Sequence, residues 1–492
     1  MIKFHSIFRR IRLCLWLGLL SGLVLPVARA EGEDVSSQTA QSSPAWLRDG
    51  VIYEIFPRDF SPAGNLNGVT LRLDDLKDLG VNILWIMPIQ PIGEKFRKGE
   101  YGSPYSIKDY YAIDPSYGTL DDFKRLVAEA HQRGMKVIMD LVANHTAWDN
   151  VLIKPRAAAL PLLSPRAKGG PATEGKPASA HPRFYKHDAQ GNIISPDPGW
   201  TDVAGLNYAN PQLRAYMIKM MVYWVQTCDI DGYRCDVASM VPEDFWKEAR
   251  AAIGKIKPDF MWLAEASKPE LMTEAFNIDY DWPLMASLNK VIMDSAPASD
   301  LEQTWMESRQ KFPRGTLHMR VSDDHDESRA VARFGINGAL AASALMFTLD
   351  GVPLLYNGME VGDATESGDP ALFNKLTIFW HPKGRPALPE IYQGLINLRE
   401  HYAGCFCNNR VTWLHNSDEN DVVTFLRTDG TNEFIVAINF SNRPVAGQVA
   451  LENGGGFKPV PISGLVDPPV GELPQFRLNG FEWQIYHRAV SK

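Results

Sequence analysis

Short apolar segments alternate with amphipathic segments from Gly50 to about Tyr402, and this alternation constrains the fold more than any other feature. The apolar segments are rich in Val, Ile and Leu, as expected of strands buried in a parallel sheet. One amphipathic segment begins with a capping-box-like Thr119 and Asp122 and ends at Gly134, as a helix would. The predicted strands cover residues 50–56, 81–88, 135–142, 231–237, 260–265, 316–322 and 352–356.

Alternation of this length is compatible with two architectures of the α/β class, a doubly wound sheet and a (β/α)8 TIM barrel. No Gly-rich phosphate-binding turn follows the first strand, and about eight strand–helix units fit the span. We therefore predict the barrel. The polar residues that follow its strands would lie at one mouth, where barrel enzymes have their active sites.

Two interruptions of the pattern predict further domains. Residues 145–209 form an insertion after strand 3 that is far longer than the usual ~2–6 residue loop, and its middle, 154–182, has the composition of a mobile flap. After Tyr402 the apolar period changes to two, which predicts a C-terminal antiparallel β-sandwich domain. The predicted organisation is a signal peptide (1–30), a flexible segment (31–44), a barrel in two parts (45–144 and 210–402), the insertion (145–209) and the sandwich (403–492).

The first 30 residues have the pattern of an export signal. Basic residues precede an apolar run from Leu13 to Val27, and residues 28–30, Ala-Arg-Ala, form a small-x-small cleavage pattern. The run is short for a membrane span. We therefore expect a cleaved, exported protein that is secreted or periplasmic and has no stable membrane anchor, with an uncleaved anchor as the alternative.

The composition limits the classes of partner that the protein can bind. Residues 1–30 hold five of the 50 basic residues and none of the 58 acidic residues, so the remaining chain carries a net charge of −13. This charge argues against nucleic acid as a partner. No feature of the sequence specifies an oligomeric state. The spacing of the remaining cysteines makes no persuasive disulfide framework and predicts free thiols at Cys228, Cys235, Cys405 and Cys407.

Carboxylate-bearing segments follow four of the predicted strands. They are DLVANH (140–145), DGYRCD (231–236), WLAEA (262–266) and SDDHDE (322–327). Taken singly, an Asp at a strand end is more often a helix cap or a loop residue. Together these segments would meet at one barrel mouth, and that coincidence favours a site.

These segments, taken in order, resemble the motifs of the α-amylase family of glycoside hydrolases, family 13. The ordered set is DLVANH, GLN at 205–207, DGYRCDVAS, EAS, the pair His325-Asp326 and GVPLLYNGMEVG at 351–362. The resemblance covers the chain from about Ala45 to the C-terminus. It implies a catalytic barrel, a domain inserted after strand 3 and a C-terminal β-sandwich, which is the organisation predicted above from the residue pattern.

Position by position, the resemblance implies that Asp236 is the nucleophile, Glu265 the acid/base and Asp326 the carboxylate that stabilises the transition state. A retaining glycosidase uses an acid that protonates the leaving oxygen and a carboxylate ~5–5.5 Å away that attacks the anomeric carbon. Arg234 lies two residues before Asp236, on the same strand face, and is expected to keep the nucleophile ionised. A purely structural salt bridge would place Arg234 equally well.

The resemblance also implies substrate-binding residues. His145 and His325 match donors to sugar hydroxyls, and Tyr105 matches the tyrosine that stacks on the sugar at the cleaved bond. A lone His or aromatic residue is more often part of a core, but these three neighbour polar loops or the carboxylate segments. Packing is at least as good an explanation for four further aromatic candidates in the insertion, Trp148, Phe184, Tyr185 and Trp200.

The chain departs from the family pattern at three places. Asp324 stands where many relatives have Asn, which adds an anion near the site. The segment VASMVPEDFW (237–246) lacks the Lys-His pair of many α-amylases. Ser106 replaces the Asp that is typical of exo-acting α-glucosidases, which mildly favours endo-action or small maltodextrins.

Two further features of these segments have ordinary explanations. Asp323 and Glu327 are expected to be solvated or ion-paired charges, with Arg329 as a partner.

Asn144 matches a calcium ligand of the family, but no acid of the insertion can be matched to it, so a structural calcium stays open. The chemistry itself requires no cofactor, and no metal ligand is predicted.

The sequence thus predicts a retaining hydrolase of α-1,4-glucosidic bonds in starch-like α-glucans or maltooligosaccharides, acting through a covalent glycosyl-enzyme intermediate. Alternatives within the family are a transglycosylase or isomerase, or an enzyme of α-1,6 bonds or cyclomaltodextrins. The alternative of another class is a catalytically inactive carbohydrate-binding relative. Intact Asp236, Glu265 and Asp326 argue against it.

Overall fold

A computed structural model describes residues 34–153, 183–365, 369–381, 388–452, 454–465 and 472–490. The predicted signal peptide (1–30) and the predicted flap (154–182) lie outside the described residues. The strands are, in chain order, β1 (Ile52–Ile55), β2 (Ile83–Ile86), β3 (Lys136–Leu141), β4 (His145–Ala147), β5 (Val203–Gly205), β6 (Gly232–Cys235), β7 (Met261–Ala264), β8 (Ile278–Tyr280), β9 (Leu317–Arg320), β10 (Val352–Tyr356), β11 (Val411–Trp413), β12 (Val422–Thr428), β13 (Asn432–Asn439), β14 (Val445–Gln448), β15 (Lys458–Pro459), β16 (Gln475–Leu478) and β17 (Trp483–Ala489).

The helices are, in chain order, α1 (Ala45–Arg48), α2 (Pro57–Phe60), α3 (Leu66–Thr70), α4 (Leu73–Leu79), α5 (Leu120–Gln132), α6 (Pro211–Cys228), α7 (Glu243–Gly254), α8 (Leu271–Glu274), α9 (Trp282–Asp294), α10 (Ser299–Lys311), α11 (Ala330–Thr348), α12 (Asp369–Phe373), α13 (Leu388–His401) and α14 (Ala403–Phe406). Short 3-10 helices occupy Ala238–Met240 and Met359–Val361.

Eight parallel strands close into the predicted barrel. Their order is β1, β2, β3, β6, β7, β8, β9, β10, and β10 pairs with β1. Ile52 of β1 lies between Ile83 of β2 and Leu354 of β10. These three side chains belong to the core inside the barrel, whereas the intervening Tyr53 and Ile55 pack against the surrounding helices. The fold prediction is therefore confirmed.

The two-residue alternation of the strands also carries polar side chains into the barrel mouth. Glu54 follows the inward-facing Ile52 by two residues, and Asp140 follows the inward-facing Ile138 by two residues. On the next strand, Arg234 occupies the inward-facing position of β6 and is paired in register with Asp140. Acidic and basic groups of neighbouring strands therefore meet at the same height in the barrel.

One barrel strand, β8, escaped the sequence analysis. It is only three residues long, and its central residue is charged. Asp279 stays buried because its Oδ1 is 2.6 Å from His318 Nδ1 on β9. A short strand with a charged centre lacks the continuous apolar run by which the other strands were recognised.

Helix ends follow the local chemistry of the sequence. Thr119 Oγ1 accepts from Asp122 N at 3.2 Å, and Thr119 N donates to Asp122 Oδ2 at 2.9 Å, which is the predicted capping box of α5. The Asn210 side chain accepts from Gln212 N at 2.8 Å and caps α6, whose first residue is Pro211. These caps orient the two helices that return the chain to β3 and β6.

The described parts of the insertion cover residues 145–153 and 183–209. They contain the antiparallel pair β4 and β5, in which His145 is paired with Gly205. Residues 34–44 were predicted to be flexible but lie against the barrel. Within this segment, Thr39 bridges to Arg314, and Ser43 Oγ donates to Asn277 O at 3.0 Å.

The C-terminal region is antiparallel, as predicted. A five-stranded sheet runs in the order β11, β12, β13, β17, β15, and a two-stranded sheet pairs β14 with β16. An apolar cluster that includes Ile435 and Phe476 joins residues of both sheets. A hairpin turn joins β12 and β13, where Asp429 Oδ1 accepts from Thr431 N at 2.8 Å and Gly430 has φ 91°.

Candidate active site

A buried guanidinium, that of Arg234 on β6, lies at the centre of the barrel mouth. Its Nη1 is 3.1 Å from Asp140 Oδ1 and 3.2 Å from Asp236 Oδ1, and its Nη2 is 2.9 Å from Glu265 Oε2. Its Nε donates to the Tyr280 hydroxyl at 3.3 Å. Because Asp236 directly follows β6 and Glu265 directly follows β7, one cation gathers carboxylates from three strands.

The main chain after β6 fixes the Glu265 carboxylate. The Val237 N–H donates to Glu265 Oε2 at 2.6 Å. Val237 has φ 37° and ψ 48°, in the left-handed region that a β-branched residue rarely adopts. Such a conformation costs on the order of 1–3 kcal/mol and persists only where its surroundings hold it. Here it aims an amide hydrogen at a buried carboxylate.

Burial and mutual proximity set the protonation of Asp236 and Glu265. Burial and the charge of Glu265 raise the pKa of Asp236 well above its usual range, and the attraction of Arg234 does not offset them. Burial likewise raises the pKa of Glu265, and Asp326 adds to the effect. Contrary to our expectation, Arg234 alone therefore does not hold Asp236 ionised. Burial and mutual repulsion therefore favour a protonated form of the Asp236–Glu265 pair.

Asp326 differs from these two carboxyls in its exposure. Its side chain is 42% exposed, compared with 9% for Asp236 and 15% for Glu265. Its Oδ2 is 3.2 Å from His325 Nε2. Partial burial raises the pKa of Asp326, but the charges of His325 and Arg234 outweigh it and lower that pKa overall. Asp326 is therefore the readily ionised carboxylate of the three.

His325 is held on both ring nitrogens. Its Nδ1 is 2.5 Å from Glu54 Oε1, and its Nε2 is 2.7 Å from the Tyr105 hydroxyl. Burial opposes the charged imidazolium, but the charges of Asp326 and Glu54 outweigh it and raise the pKa of His325 well above its usual range. The ring is therefore a fixed cation beside Asp326.

Tyr105 lies in the mouth as predicted. Its hydroxyl donates to Asp140 Oδ2 at 3.1 Å, and its ring is stacked with that of His325 at a centroid distance of 5.4 Å. The Arg234 guanidinium carbon lies 5.5 Å from its ring centroid. These contacts fix the orientation of an aromatic ring at the edge of the carboxylate cluster.

His145 lies on the other side of Asp236, with Nε2 3.9 Å from Asp236 Oδ2. Burial lowers the pKa of His145 to about 4, so its imidazole is neutral at neutral pH. The Trp200 ring centroid is 5.7 Å from that of His145, which places one of the four weaker aromatic candidates beside the site. The other three pack elsewhere: Trp148 against Phe96, Tyr185 on Thr146 and Phe184 towards Tyr216.

Asp324 holds the turn that carries Asp326. Its Oδ1 accepts from Asp326 N at 3.0 Å and from Glu327 N at 3.1 Å, while its Oδ2 is buried without a hydrogen-bond partner. Burial and the neighbouring charge of Asp326 raise the pKa of Asp324 well above its usual range. Both effects favour the protonated, neutral form of Asp324 in the folded protein.

Asp323 is buried, so the prediction of a solvated charge is wrong for this residue. Its Oδ2 is 3.5 Å from Arg329 Nε, which is the ion pair predicted as the other possibility. Glu327 is half-buried.

The sequence analysis missed several groups of the site. Glu54 is the clearest, because a single Glu within the apolar segment GVIYEIF is buried only if it is paired. Tyr280 was missed together with its strand. Asp140 was recognised only as part of a segment, and the conformation of Val237 has no signal in the sequence.

Asn144, the residue that resembles a calcium ligand of the family, is buried. Its side-chain nitrogen lies 3.4 Å from His145 Nδ1 and 4.0 Å from Met240 Sδ. The nearby insertion acid Asp202 is instead paired with Lys98. Across the described ranges, no group of three or more His, Cys, Asp or Glu side chains could hold a metal ion. The four predicted thiols are free.

Comparisons with known proteins agree with this geometry. The family model described as alpha amylase, catalytic domain, matches residues 36–162 and 199–433. The chain is 28% identical over 443 residues to the intracellular maltogenic amylase of Bacillus subtilis, covering 83% of this chain and 71% of that protein. It is 26% identical over 423 residues to alpha-amylase MalA of Haloarcula japonica, covering 84% of this chain but only 58% of that protein.

Among solved structures, an alpha-amylase from Lactobacillus plantarum superposes with a TM-score of 0.75 at 30% identity. The match covers 90% of this chain and 99% of that one. The family match, the barrel topology and the carboxylate cluster at the strand ends all indicate the same family. The chain belongs to the alpha-amylase family of glycosidases.

Proposed function

We propose that the protein is a retaining glycoside hydrolase that cleaves α-1,4-glucosidic bonds of starch-like glucans or maltodextrins. In this proposal Asp236 is the nucleophile, Glu265 the acid/base and Asp326 the carboxylate that stabilises the transition state. The observation that carries it is the placement of Asp236 and Glu265 on one buried guanidinium, next to the exposed Asp326. A retaining pair lies ~5–5.5 Å apart, and contact of both carboxyls with the same guanidinium supports a close pair here.

A proton on the Asp236–Glu265 pair supplies the first step. With the proton on Glu265, that acid protonates the glycosidic oxygen while the ionised Asp236 attacks the anomeric carbon and forms a glycosyl ester. Water then attacks the ester, and Glu265 accepts a proton from it. Positive charge on the sugar ring is favoured by the ionised Asp326 in the transition state.

The substrate-binding roles follow from the same contacts. The fixed ring of Tyr105 offers a flat apolar face to a sugar. A sugar hydroxyl accepts from His325 Nε2 in place of the Tyr105 hydroxyl, because Nδ1 is held by Glu54. His145 is neutral and can donate or accept a hydrogen bond. Arg234 acts on the substrate through the carboxylates that it positions.

The test is incubation of the purified protein with starch, pullulan, maltooligosaccharides, cyclomaltodextrins and sucrose, with products and anomeric configuration followed over time. Initial release of the α-anomer from an α-1,4-linked substrate is expected. Initial release of the β-anomer would exclude retention. Absence of turnover on every α-glucoside would favour the inactive carbohydrate-binding relative.

A second candidate function is a maltogenic enzyme that also acts on cyclomaltodextrins or transfers glycosyl groups to sugars. It is supported by the similarity to a protein named maltogenic amylase. The same incubation separates the two functions. A preference for cyclomaltodextrin over starch, or products longer than the substrate, would favour the second candidate.

We also propose that residues 1–30 direct export to the periplasm or the medium. The basic, apolar and small-x-small pattern supports this location, whereas the relative named intracellular supports the cytoplasm. Expression of the full chain in bacteria, cell fractionation and N-terminal sequencing test it. A mature N-terminus at Glu31 in the exported fraction is expected, with a variant that lacks residues 1–30 as the cytoplasmic control. An uncleaved chain in the cytoplasm would contradict it.

A further inference from the structure

A second cavity opens on the same side of the barrel as the carboxylate cluster. It lies between the loops after β1, β2 and β10 and has a volume of about 350 Å³. This volume is at the lower end of the range of small-molecule sites. None of its lining residues belongs to the carboxylate cluster or was predicted to bind substrate.

Three cations line this cavity: Arg58, Arg97 and Lys375. Arg58 Nη1 donates to Leu372 O at 3.0 Å, and Lys375 Nζ donates to Pro62 O at 2.9 Å. Throughout the parts of the chain that the structure describes, none of the three cations has a carboxylate oxygen within ion-pair distance, and none has a further unnamed partner. Main-chain carbonyls therefore orient the cations without neutralising them.

Two carboxyls lie near these cations and offset only part of their charge. Asp114 also lines the cavity, but its Oδ1 accepts from Ser116 N at 2.8 Å and from Ser116 Oγ at 2.7 Å. Asp59 accepts from Leu376 N at 2.8 Å, and burial raises its pKa to about 7. The lining of the cavity is therefore positive on a chain whose formal charge is −8.

A buried hydroxyl also faces this cavity without a regular hydrogen bond. Tyr117 lines the cavity and is 2% exposed; its hydroxyl lies beside Arg58, whose charge acts on it, but makes no hydrogen bond of regular geometry. Buried polar groups are almost always hydrogen-bonded. An oxygen-rich ligand in the cavity would supply the missing bond.

Two glycines make room for the cations. Gly64 has φ 65°, and a Cβ added there would lie 2.7 Å from Lys375 Nζ. Gly102 has φ 76°, and a Cβ added there would lie 2.9 Å from Arg97 Cγ. Both positions combine a left-handed backbone with a close side-chain approach, so a larger residue would displace the cations.

We propose that this cavity binds a sugar phosphate, with Arg58, Arg97 and Lys375 around the phosphate group. Guanidinium and ammonium groups without carboxylate partners match phosphate oxygens in charge and hydrogen bonding. The cavity is roughly ten times the ≈30 Å³ that one water occupies in the liquid, so it has room for more than a bare anion. Tyr101, which also lines the cavity and is 40% exposed, offers an aromatic face to the sugar ring.

Calorimetric titration of the purified full chain with glucose 6-phosphate, inorganic phosphate and glucose tests the site. Glucose 6-phosphate is expected to bind most tightly. Arg97→Met and Lys375→Met should each weaken its binding about tenfold or more, because each removes a charged donor. Lys95→Met is the matched control, since Lys95 is an exposed cation of the same loop that does not line the cavity; its affinity should stay unchanged.

Tyr117→Phe provides a test that leaves every charge in place. It removes only the hydroxyl and should weaken glucose 6-phosphate binding a few-fold. The proposal is overturned if the parent protein binds no glucose 6-phosphate, if glucose or inorganic phosphate binds as tightly, or if Arg97→Met and Lys375→Met bind like Lys95→Met. Activity on maltooligosaccharides, measured in parallel, verifies that each variant is folded and keeps this test separate from the proposed hydrolysis.

Discussion

At the scale of single residues, burial gives neighbouring carboxyls different tasks. Burial raises the pKa of both Asp236 and Glu265 and favours protonation, whereas the charges of His325 and Arg234 lower the pKa of Asp326 and favour its ionised form. The residue type is the same in two of these three cases. The difference lies in solvent access and in the charge of the nearest partner.

Asp236→Asn should abolish turnover and leave the fold intact. The amide keeps the size of the carboxylate and its oxygen can still accept from Arg234, but it cannot form the glycosyl ester. We expect a loss of about 10⁴-fold or more in kcat, measured on a maltooligosaccharide, with circular dichroism as the folding control. Residual activity within tenfold of the parent would mean that another group is the nucleophile.

Asp324→Asn should stabilise the protein near neutral pH. Folding raises the pKa of Asp324 and so disfavours the ionised form that the unfolded chain adopts near neutral pH, and each unit by which a carboxyl pKa is raised costs about 1.4 kcal/mol of folding free energy there. The cost disappears below the ordinary pKa of Asp, about 4. The melting temperature of the variant should therefore exceed that of the parent at pH 7, and the difference should shrink as the pH falls towards 4.

The groups around Asp324 define the control for this prediction. Asp326, His325 and Asp323 face it from its own segment, Glu54 from β1 and Tyr280 from β8. Asp323→Asn is the matched variant: burial raises the pKa of Asp323, but pairing with Arg329 offsets part of that effect, so the gain in melting temperature should be smaller than for Asp324→Asn. Equal melting temperatures for Asp324→Asn and the parent at pH 7 would show that Asp324 is ionised in the folded state.

The sequence was sufficient to predict site residues that have a catalytic side chain and also follow a recognisable strand. Asp236, Glu265 and Asp326 each follow a recognisable strand, so their meeting at the barrel mouth could be predicted. Glu54 could not be assigned a role, because its partner His325 lies 271 positions away in the chain. The direction of the pKa shift of Asp236 also depends on interatomic distances, and the spacing of residues along the sequence does not give these distances.

At the scale of secondary-structure elements, strand length decided what could be recognised. The barrel strands with continuous apolar runs were predicted, whereas β8, with a buried Asp–His pair at its centre, was not. The capping box of α5 was predicted because its residues are only three positions apart. Local chemistry of this kind can be derived from sequence, and long-range pairing of charges cannot.

Thr119→Ala should lower the free energy of unfolding by about 1 kcal/mol, the usual cost of losing a helix cap. The hydroxyl accepts from Asp122 N and donates to Asp122 Oδ2 at 2.7 Å. Urea unfolding followed by circular dichroism measures the change. Thr119→Ser keeps the cap oxygen and should unfold close to the parent; a loss as large as that of alanine would assign the effect to the methyl group.

At the scale of the whole molecule, buried arginines join the barrel to the C-terminal sheets. Arg427 of β12 donates to Cys405 O at 2.8 Å, to Phe406 O at 2.9 Å and to Asn408 O at 2.7 Å. Arg399 of α13 also donates to Phe406 O, at 3.2 Å. The segment between barrel and sheets is therefore held from both sides, and the two parts are expected to unfold together.

Arg427→Met should destabilise the protein by about 2–4 kcal/mol, because it leaves buried carbonyl groups without their donor. Thermal unfolding should remain a single transition at a lower temperature. Arg410→Met is the matched control, since Arg410 is an exposed arginine near the same segment. Two separate transitions in the parent protein would contradict the joint unfolding of barrel and sheets.

The partial exposure of Asp326 links substrate binding to proton uptake. A sugar that covers this carboxylate removes its water and raises its pKa, so the complex takes up protons at pH values near that pKa. Binding of a maltooligosaccharide to Asp236→Asn, measured in buffers of different ionisation enthalpy, should show buffer-dependent heats that are absent from the double variant Asp236→Asn/Asp326→Asn. The enzyme would then bind long glucans more tightly in mild acid. In the same pH range, less of the bound enzyme would carry the ionised Asp326 carboxylate that stabilises the transition state.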